Sequence, residues 1–142
     1  MFESFFPKPK LFFGSLVLWI IFLITVWYSI GETLGNSLGF SLDTEEQVIG
    51  LGHFITSEFL WFDLFYLFGT LIFYYSWRRY HPHFWQNWSI LGSALLIYLS
   101  YASVQVSVII NAWYGPFYND IQTALGGTGE ITVSKLYSHF II

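Results

Sequence analysis

No cysteine occurs among the 142 residues, so neither a disulfide framework nor a thiolate metal site is possible. Charge is nearly as scarce. Asp, Glu, Lys and Arg together make up 10% of the chain, against about 25% in a soluble domain. Five basic residues cannot form the surface that nucleic acid needs. Gly126-Gly-Thr-Gly129 is followed by no Gly-Lys-Ser/Thr, which excludes a phosphate loop, and no nucleotide is expected. His81 and His83 flank Pro82 without a cysteine or a nearby carboxylate to complete a metal site, so this turn reads as structural. With no nucleophile–base pair, metal set or cofactor motif, the chain is expected to be neither an enzyme nor a cofactor carrier.

What fills the chain instead is apolar: 55% hydrophobic residues, 23% of all residues aromatic. Between Arg79 and Asp120 no charged residue occurs, and Ile90–Ile110 is an uncharged run of 21 residues. At about 1.5 Å per helical residue it matches the roughly 30 Å hydrocarbon core of a bilayer. Trp85, Trp88, Trp113, Tyr114 and Tyr118 bracket it at the level where aromatic rings with a polar edge settle. The expected fold is an all-α integral membrane protein with three transmembrane helices, over about residues 11–30, 54–77 and 89–111. The start of a fourth is expected from about residue 132, where a possible Thr132 cap precedes a segment that turns apolar. All four belong to one domain spanning residues 1–142, read as the N-terminal portion of a larger membrane domain.

The third span has two faces. Ser89, Gly92, Ser93, Ser100, Ser103, Ser107 and Asn111 fall within about a third of the circumference at 100° per residue, a small-residue seam suited to helix packing in lipid. Tyr98, Tyr101 and Gln105 lie opposite, as a second helix contact or as the lining of a wet cavity. A glutamine amide in mid-membrane requires a partner or water. In the first span Gly14, Ser15, Thr25 and Ser29 form another small-residue side. A cleaved signal peptide is the competing reading there, but the run is too long and too aromatic for a signal core.

Local signals set several boundaries. Pro7 and Pro9 keep the N-terminal stretch out of regular helix. Gly31–Gly52 reads as a polar loop whose charges, Glu32, Asp43, Glu45 and Glu46, are all negative; a short helix could start at Ser41 or Asp43. Glu58 and Asp63 in the second span point about 140° apart and form no carboxylate pair. Glu58 suits the helix start. Asp63 lies two turns in and must face protein or water, which makes it the local candidate for proton binding. Gly115-Pro116 marks a turn after the third span. Lys8, Lys10, Arg78 and Arg79 fall on one side, which the positive-inside rule makes cytoplasmic. The N-terminus is then inside and the acidic loop outside.

Ser4-Phe-Phe-Pro-Lys-Pro9, Pro82-His83, Trp85-Gln-x-Trp-Ser-Ile-Leu-Gly92, and Asn111-Ala-Trp-Tyr-x-Pro-Phe-Tyr118 with Ile121-Gln-Thr-Ala-Leu125 after it resemble the N-terminal third of the SbmA/BacA peptide-antibiotic transporters. The resemblance implies a multi-pass protein of the bacterial inner membrane, homodimeric in its full-length form. Its helices would be arranged like the membrane half of an ABC exporter without the ATPase. It also implies proton-driven uptake of peptides, including microcins and proline-rich antimicrobial peptides, with lipid and peptide as partners. The family's proton-coupling glutamates would lie beyond Ile142, and Asp63 stands where the family pattern has an uncharged aromatic residue. On this reading Tyr98, Tyr101 and Gln105 face the transport cavity, and Trp113, Tyr114 and Tyr118 stand at its outer mouth. The alternative is a truncated or accessory membrane protein that packs against partner helices and transports nothing.

Overall fold

The computed structural model describes residue 6, residues 8–42 and residues 50–126. All regular structure among them is helical. Three helices are long and apolar enough to cross a membrane: α1 over Pro9–Ser37, α2 over Ser57–Tyr80 and α3 over Asn87–Gly126. The fourth helix expected from Thr132, and the acidic residues Asp43, Glu45 and Glu46, lie outside the described residues. The chain divides into two compact units. Unit 1 comprises residues 1–44 and 57–99, and unit 2 comprises residues 45–56 and 100–142.

The helices are longer than the sequence indicates, for local reasons. Pro9 does not hold off the helix but opens it at the first turn. There its missing N–H is no loss and its fixed φ already suits the helix. Lys8 ahead of it takes a left-handed φ of 43°. At the other end, the expected loop from Gly31 is helix as far as Ser37, reached through a π turn at Trp27–Gly31. The stop comes at Gly39, whose φ of 96° few other residues adopt. Phe40 N–H reaches the Gly35 carbonyl at 3.0 Å and Gly39 N–H reaches that of Asn36 at 3.1 Å, the paired closure of a Schellman motif. Ser41 and Leu42 are not helical. A 3-10 turn at Leu51–Ile55 precedes α2.

The turn expected at Gly115-Pro116 is also absent, since α3 continues through Pro116 to Gly126. Proline removes one helical hydrogen bond and crowds the preceding turn. Ring pairs four residues apart bracket the defect: Trp113 stacks on Phe117 with centroids 4.6 Å apart, and Tyr114 meets Tyr118 at 5.6 Å. Such i,i+4 pairs favour helix on both sides of the break.

Unit 1 is an antiparallel arrangement fixed by polar atoms of aromatic rings. Trp61 Nε1 donates to the Gly31 carbonyl, Trp19 Nε1 to the Gly69 carbonyl and Trp77 Nε1 to Ser15 Oγ, each at 3.0 Å. As the α2 number rises the α1 number falls, so the two helices run in opposite directions. The same holds for α2 and α3. Tyr74 Oη donates to Asn87 Oδ1 at 2.7 Å, Tyr66 Oη to the Ala94 carbonyl at 2.7 Å, and Tyr98 Oη to Asp63 Oδ2 at 3.0 Å. Phe12, Phe73, Tyr74, Trp77 and Ile90 make the buried cluster.

Two glycines lie where neighbouring side chains come close to the backbone. A Cβ on Gly69 would stand 2.8 Å from Leu23, and one on Gly35 would stand 2.5 Å from Leu42 and 3.0 Å from the Trp61 indole nitrogen. The small side of α1 read from the sequence has a minor part in this contact. Gly14 has open space around it and Thr25 bonds its own helix at the Ile21 carbonyl. Ser15 is the member of that set that receives a bond from α2. Large rings with a donor edge, meeting glycine on the other helix, bring the two together.

Candidate functional site

In unit 2, Gln105 has a specific partner. His53, in the 3-10 turn before α2, places its Nε2 3.1 Å from Gln105 Oε1. The amide oxygen only accepts, so Nε2 carries the hydrogen and donates. This satisfies a mid-span amide that would be costly to leave bare in hydrocarbon. His53 and Gln105 are both half-buried. The sequence gives no hint of His53: it sits 52 positions from its partner, and one histidine in a glycine-rich loop carries no signal of its own. Tyr101 lies one helical turn before Gln105 and is half-buried too. At the far end of α3, Trp113 is half-buried, while Tyr114 and Tyr118 are exposed, within the ring pairs around Pro116.

Tyr98 belongs to unit 1. Besides donating to Asp63, its ring lies 5.9 Å from that of Tyr66, so α2 and α3 hold it between them. Asp63 is half-buried. Its Oδ2 accepts the Tyr98 hydroxyl, while its Oδ1 is buried and has no hydrogen-bond partner among the described residues. Glu58 is exposed, as its place at the start of α2 implies. It shares a cavity of about 410 Å3 with Glu32, Trp27 and Trp61. No group of three metal-ligating side chains occurs among the described residues.

The small residues of α3 are divided between the two units. A π turn occupies Asn87–Gly92 and widens the helix locally, so a 100° step carried back from Ser100 misplaces the residues before Ser93. Ser89 is buried at 2% exposure and bonds the Gln86 carbonyl at 3.3 Å. Gly92 is half-buried and Ser93 is exposed. Ser89 and Ser93 border a groove of unit 1. Ser100, Ser103, Ser107 and Asn111 are exposed in unit 2, where Ser107 Oγ bonds the Ser103 carbonyl at 3.0 Å.

The segment between α2 and α3 is built from side chains that cap one another. His83 Nδ1 accepts the Trp85 N–H at 3.2 Å, and the buried Gln86 amide donates to the Tyr74 carbonyl at 3.2 Å. Arg78 Nη1 donates to Tyr74 Oη at 2.6 Å, and Tyr74 Oη in turn donates to Asn87 Oδ1. Pro82, His83 and Trp85, three residues that resemble a known family, thus lie in a folded connection.

Comparison with protein families finds a match for this connection and the residues C-terminal to it. The model of the SbmA/BacA-like family matches residues 82–142, from the His-Pro-His turn through all of α3. The matched residues include the last of the three helices long and apolar enough to cross a membrane.

Proposed function

We propose that the chain forms the N-terminal part of a bacterial inner-membrane transporter that imports peptide antibiotics, microcins and proline-rich antimicrobial peptides among them, using the proton-motive force. The observation that carries this reading is the family match over residues 82–142. Residues 1–142 then form one portion of a transmembrane domain arranged like that of an ABC exporter but without an ATPase, with the N-terminus in the cytoplasm. Two copies of the full-length protein pair, and neither a nucleotide nor an enzymatic step is involved.

The chemistry of α3 suits that task. With Gln105 Oε1 engaged by His53, the amide keeps two N–H donors for a peptide carbonyl. Tyr101, Trp113, Tyr114 and Tyr118 add ring faces and hydroxyls that accept peptides of varied sequence. Asp63, with one carboxylate oxygen unpartnered among the described residues, is the proton-binding candidate of this part of the chain.

Uptake of a fluorescent proline-rich peptide by cells expressing the full-length transporter tests the proposal. Gln105→Leu reduces uptake and leaves membrane insertion intact; unchanged uptake removes Gln105 from the path. Asp63→Asn weakens the dependence of uptake on a pH gradient; an unaltered dependence leaves Asp63 a structural acceptor for Tyr98. A second reading draws on α3, none of whose residues from Ser93 to Gly126 is buried: a helix this bare fits a polypeptide that packs against partners and transports nothing. Reconstitution of the 142-residue chain with labelled peptide under a pH gradient separates the two, since transport by that chain excludes the second.

A further inference from the structure

Unit 1 contains a groove of about 650 Å3 with apolar walls from all three helices, among them Phe12 and Leu23 of α1, Phe65 and Phe73 of α2, and Ile90 and Ile97 of α3. Along α1 it extends from Phe12 to Trp27, about 22 Å of helix. One leaflet supplies about half of the roughly 30 Å hydrocarbon core, so the groove accommodates an acyl chain along its full length.

The two ends of unit 1 carry opposite charge. Near Phe12 are Lys8, Lys10, Arg78 and Arg79, all exposed and making four of the five basic residues in the sequence. Lys8 Nζ lies 5.3 Å from the centre of the Tyr80 ring, which brings the start of α1 to the end of α2. Arg78 is held by Tyr74, through the bond to its hydroxyl and by lying 5.8 Å from its ring centre. A guanidinium fixed in this way keeps donors for a phosphate. Near Trp27, at the other end, stand the acids Glu32 and Glu58.

We propose that unit 1 is a binding site for an anionic phospholipid, its phosphate held among Lys8, Lys10, Arg78 and Arg79 and an acyl chain lying in the groove. Charge and shape agree on this occupant. An apolar helix would fill the groove but bring no counter-charge, and a free anion would meet the cations but leave the groove open. Polybasic clusters at the membrane surface attract anionic headgroups, and the exposed rings of Tyr80 and Trp85 suit the same level. The site needs only that the helices cross a bilayer, so it stands or falls separately from peptide transport.

Native mass spectrometry of the full chain, released from nanodiscs of equal phosphatidylglycerol and phosphatidylcholine, reads lipid retention directly. The expected result is roughly tenfold preference for phosphatidylglycerol. It falls to near unity in the variant K8Q/K10Q/R78Q/R79Q, and retention of either lipid falls in Ala94→Phe, which fills the groove without touching the charges. Circular dichroism checks that both variants keep their helix, and glycerol phosphate added in excess does not compete. Equal retention of the two lipids, a preference that survives removal of the four charges, or competition by glycerol phosphate overturns the proposal. So does retention unaffected by Ala94→Phe, or a dimer that retains no lipid and so covers the groove with a second copy.

Discussion

Between Pro9 and Leu99, three indole N–H groups and three tyrosine hydroxyls cross from one helix to a carbonyl, hydroxyl, amide or carboxylate on another. Between Ser100 and Gly126, the ring contacts of Trp113 with Phe117 and of Tyr114 with Tyr118 join residues of one helix. The side chains are the same kind, yet they do different things. A ring paired four residues along its own helix favours helix anywhere and selects no neighbour. A ring donating to a carbonyl dozens of residues away specifies one register of two helices, and in hydrocarbon no water replaces the bond if it is lost. Unit 1 is therefore held together by long-range polar contacts, and the His53–Gln105 bond is such a contact in unit 2.

The contrast is sharpest at the buried rings. Phe12, at 2% exposure, packs on Phe73 and Trp77, and Phe12→Ala should cost about 3–5 kcal/mol in equilibrium unfolding from detergent micelles. A cost no larger than that of Tyr118→Leu, whose exposed ring should be worth under about 0.5 kcal/mol, would erase the distinction between the units. By the same measurement Pro116→Ala should raise stability by about 1–3 kcal/mol, because the two flanking ring pairs, at about 0.2–0.5 kcal/mol each, offset only part of the proline's cost. Loss of helix signal in circular dichroism would contradict that account. Trp61→Phe keeps most of the ring but removes the indole donor to the Gly31 carbonyl, and should cost about 0.5–1.5 kcal/mol in the same unfolding measurement. In unit 2, His53→Phe and Gln105→Leu should couple by about 1 kcal/mol in a double-mutant cycle. Additive effects there would mean that the two side chains do not act as a pair.

Much of this architecture is legible in the residues. The absence of charge from Arg79 to Asp120 marks the third helix, and the arginines close the second within two residues of its end. Where sequence and structure part, one cause is shared: a local signal takes its meaning from its surroundings. Pro9 has the chemistry of a breaker and is a helix opener, because only its place in the first turn decides which. Pro116 has the chemistry of a turn and is mid-helix, where ring pairs on both sides offset part of the cost of the lost bond. Gly31 and Gly35 suit a loop and are helical; at Gly35 the missing side chain admits Trp61. The resemblance to SbmA/BacA-like sequences rests on ordered blocks around Trp85 and Asn111, and the family match covers both. Of the candidate site, Gln105 is evident from its cost in lipid, whereas His53 has no periodicity or motif to reveal it.

Composition and periodicity alone determined that three long apolar helices form, because transfer into lipid and satisfaction of the backbone depend on runs of residues close in sequence. Which face of each helix meets which neighbour was decided only in three dimensions. The bonds from Trp19, Trp61, Trp77, Tyr98 and His53 join positions between 30 and 62 residues apart, and a hydrogen bond acts over a few ångströms. No pattern along the chain can say that two such atoms will meet until the helices have packed.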